Sequence, residues 1–149
     1  MKRLIPKQNK LKPNCSIEHL HKNTLKWISE FQFIKVEEEF LKELLAEHII
    51  EFCSEKHYSK AKLLFNGISH ETVLREELIN DIKEHKINLA LLLENIYLKK
   101  EGVFRKTHEI LKKEVQNYFE NFKYIKLEIF ELVLTILKNE KQKRLVINI

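Results

Sequence analysis

Residues 104–136 read FRKTHEILKKEVQNYFENFKYIKLEIFELVLTI. Within them Phe104, His108, Leu111, Val115, Tyr118, Phe122, Ile125, Ile129, Leu132 and Ile136 recur at steps of three and four, and nine of these ten are apolar. Strands alternate with period two, so this spacing belongs to one face of a helix, repeated over so many turns that it reads as the seam of a helical bundle or coiled coil. Gly102 just upstream suits the left-handed position of a turn. The run of Lys and Arg in 138–144 suits the negative end of a helix dipole. The spacing therefore predicts a helix over 103–141, followed by an apolar tail, LVINI, at 145–149.

The same rhythm lies upstream. Ile17, Leu20, Thr24, Trp27, Phe31, Ile34, Glu38, Leu41, Leu45, His48 and Phe52 keep the 3-4 spacing, and eight of the eleven are apolar. Ser16 can cap the first free amides and Glu18 complements the dipole, so a helix is predicted over 16–54. The segment Ser54-Glu55-Lys56-His57 reads as the first turn. A middle helix over 57–100 carries Leu64, Ile68, Glu71 and Arg75, then the clearer Leu78, Ile82, His85, Leu89, Leu92 and Ile96. Gly67 is read as a tolerated glycine inside one helix, with a kink there as the open alternative. Both prolines, Pro6 and Pro13, precede the first helix. Proline inside a helix costs about 3 kcal/mol, so the rest of the chain is free to form long helices.

Short connections between long helices make neighbours antiparallel. The expected fold is all-α: an elongated up-down-up three-helix bundle over 15–144, its helices roughly 57 Å long at 1.5 Å per residue. Residues 1–14 are expected to be a disordered basic arm. Two glycines among 149 residues, with 44% apolar and 33% charged residues, exclude collagen-like, low-complexity and turn-rich β architectures. The most apolar stretch, Ile87–Leu98, still contains Asn88, Glu94 and Asn95, whereas a membrane span needs about 20 apolar residues. The start, MKRLIPKQNK, lacks an apolar signal core, so the expectation is a cytoplasmic chain whose two cysteines are reduced.

The net charge of +5 is unevenly placed. Lys2, Arg3, Lys7, Lys10 and Lys12 stand in the arm with no acid, and bases exceed acids by three in 138–144, which leaves the body acidic. Such ends mostly keep a protein in solution; the sharper alternative is attraction to nucleic acid or an anionic membrane surface.

The stretches TLKWISEFQFIKVEEEFLKELL (24–45) and THEILKKEVQNYFENFKYIKLEIFELVLTILKNEKQKRL (107–145) resemble a group of small all-helical bacterial proteins of the Bacteroidetes type. The resemblance rests on Trp27 with Ser29-Glu30, the His108-Glu109 region and the ending Glu140-Lys141-Gln142-Lys143-Arg144. It implies a helical fold in the cytoplasm and carries over no functional residue.

Sites of chemistry are sparse. Cys15-x3-His19 and Cys53-x3-His57 repeat a chelating spacing, but they stand at opposite ends of the first helix, far beyond zinc bonds of about 2.0–2.3 Å. Glu18-x-x-His21 is a single copy of a unit that di-iron bundles need twice. Folding the expected hairpins puts His85 near Thr24 and Tyr118, His108 near Cys15 and Asn95, and His48 near Lys62, at different heights. A cluster of Cys15, His19, His21 and His108 at one end is the weak metal-binding alternative. Asp81 and His85, four apart, read as a helix-face pair. The chain has no phosphate loop, nucleophile elbow or HExxH, and the pattern buries no carboxylate pair. No cofactor or metal is expected.

One feature rises above this background. INLALLLENIYL (87–98) is apolar at nine of twelve positions, more than one seam uses, and Ile87, Leu91 and Leu98 point away from the seam. The expected function is that of a non-catalytic scaffold or interaction module that pairs with a second copy through this helix.

Overall fold

The computed structural model describes residues 16–54, 56–96 and 101–147. It is all-helical: α1 (Ile17–Glu47), α2 (Ile49–Phe52), α3 (Tyr58–Leu93) and α4 (Glu101–Ile147), with no strand among the described residues. The arm with Lys2, Arg3, Lys7, Lys10 and Lys12 lies outside them, as do Cys15 and Leu98. No described helix is long and apolar enough to cross a membrane.

The apolar rhythm is what packs. Leu20, Trp27, Phe31, Ile34, Leu41 and Leu45 of α1, Leu64, Ile68, Leu78, Ile82, Leu89 and Leu92 of α3, and Phe104, Leu111, Val115, Phe122, Ile129, Leu132 and Ile136 of α4 are all buried. They form a long main core and a smaller one made of Leu20, Leu89, Leu92 and Phe104. Burying a side chain of this size gains about 1.5–3 kcal/mol, so the seams hold the three long helices together. Residue pairs set their directions. His85 meets His108 and Lys60 meets Glu128, so α3 and α4 run antiparallel. Trp27 meets His108 and Glu37 meets Lys126, so α1 and α4 run parallel.

The helix ends depart from the expectation, each for a local reason. Ser16 does cap α1, its Oγ accepting from the His19 amide at 3.0 Å. The helix, however, stops at Glu47 and not at 54. His48 takes φ −109° and ψ 23°, and its amide turns back to Leu45 and Ala46 carbonyls. The break re-aims the short α2 so that Phe52 is 1% exposed while Ile49 and Ile50 face outward.

The middle helix ends at Leu93 and not near 100. Asn95 adopts φ 60°, its amide donates to Leu92 O at 3.0 Å, and the Ile96 amide donates to Leu91 O at 2.8 Å. These are the two bonds of a Schellman motif, with Asn in the left-handed position usually given to Gly. Gly102 accordingly lies inside α4, without a positive φ. Ile96, expected in the seam, is 51% exposed. At the far end α4 absorbs the expected tail through Ile147, because Lys141–Arg144 are good helix formers and no breaker follows. Gly67 sits within an uninterrupted α3.

Candidate functional site

Three polar groups interrupt the seams. The first crosses the middle of the main core. Glu38 of α1 is 1% exposed, and its Oε1 lies 2.8 Å from Thr72 Oγ1 and 3.1 Å from Arg75 Nη2, both on α3. Tyr118 of α4 points its hydroxyl between Glu38 Oε2 (3.3 Å) and the Glu71 carbonyl (3.2 Å). Glu71 is buried beside this group, and its Oε1 has no hydrogen-bond partner. Burial pushes the Glu71 carboxyl up, the Glu38 charge adding to the shift and His70 opposing it. Burial and the two carboxylates also push the Tyr118 phenol up, beyond any working pH. The expectation that no carboxylate pair is buried is therefore corrected: seam positions 38 and 71 carry both acids inward, and the one guanidinium, Arg75, pairs with Glu38.

The second group separates the two apolar cores. His85 Nε2 of α3 is 3.0 Å from His108 Nδ1 of α4, and the Asn23 amide nitrogen of α1 is 3.4 Å from His108 Nε2. An amide nitrogen only donates, so His108 accepts at Nε2 and carries its proton on Nδ1. That proton goes to His85 Nε2, which leaves His85 protonated at Nδ1, an atom without a hydrogen-bond partner. Trp27 stacks on the His108 ring, centroids 4.8 Å apart. Both histidines are 2% exposed, and burial lowers each to a pKa of about 4.

The separate heights expected for His85 and His108 are thus overturned. The α3–α4 turn comes earlier than expected, at Asn95, and the earlier turn slides the two histidines into register. His85 also forgoes the expected pairing with Asp81. Of the expected grouping of Cys15, His19, His21 and His108, Cys15 lies outside the described residues, His19 is exposed, and His108 turns inward to His85. Cys53 is an exposed free thiol.

The third group is at the opposite end. His48 Nδ1, at the α1–α2 break, is 3.3 Å from Glu51 Oε1, and Glu140 of α4 converges on both, the three donor atoms lying within 4.8 Å of one another. The His48 hydrogen bond holds the Glu51 carboxyl below its usual range. Beside them opens a surface groove of about 770 Å³, bordered by Glu51, His57, Ile136, Asn139, Glu140 and Lys143.

On the outside, Ile87 is 57% exposed and Leu91 half-buried. Further exposed apolar side chains stand elsewhere: Phe33 (64%), Val36 and Phe40 on α1, with Leu127, Phe130, Leu134 and Leu137 on α4. These two rows share a side. The Glu37–Lys126 ion pair, 2.7 Å, marks where parallel α1 and α4 face each other. At about 100° per residue, both rows turn from that line away from α3.

No protein-family model, curated protein or solved structure matches this chain.

Proposed function

We propose that α1, α3 and α4 form an up-down-up three-helix bundle that works as a non-catalytic interaction module and pairs with a second copy of itself. The observation that supports this reading most strongly is a pair of exposed apolar rows, Phe33, Val36 and Phe40 on α1 and Leu127, Phe130, Leu134 and Leu137 on α4, both turned away from α3. Single exposed apolar residues are ordinary, whereas a contiguous patch of large ones favours a partner. The position is the one a further helix pair would occupy. Charge favours a copy of the same chain. Apart from the buried Glu38, α1 carries four acids along 35–47 against Lys35 and Lys42, and along 123–144 α4 carries six bases against three acids. A two-fold dimer sets α1 of each copy against α4 of the other, acidic rim on basic rim.

The proposed patch on α3, Ile87 with Leu91, offers less apolar surface among the described residues and is the competing interface. Light scattering separates the two. A Phe33→Lys, Leu134→Lys double variant is expected to be monomeric, while a Leu91→Lys, Leu98→Lys double variant stays dimeric. The converse moves the interface to α3. A monomeric wild type removes self-association.

A further inference from the structure

We propose that His48, Glu51 and Glu140 form a divalent-cation site of the Zn²⁺ type that clamps the α1–α2 break to α4. The donors come from three separate elements: the interhelical residue His48, α2, and the last third of α4. Two carboxylates and an imidazole nitrogen converge there within 4.8 Å. A cation with bonds of about 2.0–2.2 Å asks its donors to lie within about 4.4 Å of each other, which a small turn of the half-buried carboxylates supplies. One nitrogen with two oxygens suits a borderline cation, and three protein ligands leave a position open to water or a small ligand.

The two carboxylates supply the negative charge here, while Lys56, His57 and Lys143 border the same groove. The last turn of α1 holds no basic residue. Arg144 reaches Glu140 only at 3.9 Å, from a position 77% exposed. Glu51 and Glu140, brought together from 89 positions apart, repel each other without a cation or proton between them. The His48 ring also meets Phe52, centroids 6.1 Å apart, and Phe52 is anchored in the core, so Nδ1 is aimed by packing. The groove bordered by Glu51 and Glu140 gives the site an entrance from solvent.

The test is a titration of the full chain with Zn²⁺, followed by isothermal calorimetry and by the melting temperature. Saturable binding is expected, with a rise in melting temperature as the cation links two elements. His48→Ala and Glu140→Gln are each expected to weaken binding by at least about tenfold, or 1.4 kcal/mol, and to abolish the thermal shift. His70→Ala, on the exposed face of α3, is expected to change neither. Retained folding of the variants is read from their helical circular dichroism. Equal affinity in the wild type and Glu140→Gln means adventitious ions on surface histidines and overturns the assignment. So does the lack of saturable binding up to about 1 mM, a concentration equivalent to only −4.1 kcal/mol.

Discussion

Arg75 on α3 places its Nη2 3.1 Å from Glu38 Oε1 on α1, with both residues closed off from solvent in the middle of an otherwise apolar seam. Removing one member leaves the other as an uncompensated buried charge, whereas replacing both with apolar residues removes the desolvation cost as well. Arg75→Met alone is expected to destabilise by about 3–5 kcal/mol in urea unfolding. Adding Glu38→Leu is expected to recover most of that loss. A double variant no more stable than Arg75→Met would show that the pair contributes through packing and not charge.

Glu71 is the unbalanced member of this layer. Its folded carboxyl titrates above the unfolded value, so its contribution is fully present below the unfolded pKa and is lost as pH rises through the folded one. At neutral pH it therefore costs stability, and its orphan Oε1 adds to that cost. Glu71→Leu is expected to stabilise the chain by about 1–3 kcal/mol at pH 7, with a smaller gain near pH 4. Chemical denaturation at the two pH values measures the difference.

His85 and His108 work in the opposite sense. Their folded pKa values of about 4 lie below the unfolded value of 6.5, so stability is full above pH 6.5 and falls as pH drops towards 4. Trp27, the single tryptophan, stacks on His108 and reports its protonation. Quenching of Trp27 fluorescence is expected with a midpoint near pH 4; a midpoint near the ordinary histidine value would mean that the pair is open to water.

Much of the architecture is legible in the residues. Nearly every position of the three 3-4 stripes is buried, including Thr24, Glu38, Glu71 and His85, because burial follows the helical period whatever the side chain. The turn was harder to place. Gly102 and Asn95 both suit a left-handed residue, and the Schellman bonds that select Asn95 run to the carbonyls of Leu91 and Leu92, of which Leu92 is packed in the smaller core. That shift hid the His85–His108 contact. The buried acids had a signal of their own: charges at seam positions 38, 71 and 75 on adjacent helices. The His48–Glu51–Glu140 corner had none: His48 and Glu51, three apart, are neighbours on any helix, but nothing in the residues alone brings Glu140 to them.

Gly67 offers a test of α3 itself. A Cβ there would sit 3.5 Å from Ile125 Cδ1, an ordinary contact, within a continuous helix. Gly67→Ala is expected to stabilise by about 0.5–1 kcal/mol, the usual gain of Ala over Gly inside a helix. Destabilisation would mean that α4 approaches more closely than this contact allows.

Self-association is the claim on which the functional reading rests, and sedimentation equilibrium of the wild-type chain over a range of concentrations tests it most directly. The account predicts a species of twice 18.0 kDa that dissociates on dilution. A mass of 18.0 kDa at every concentration would contradict it.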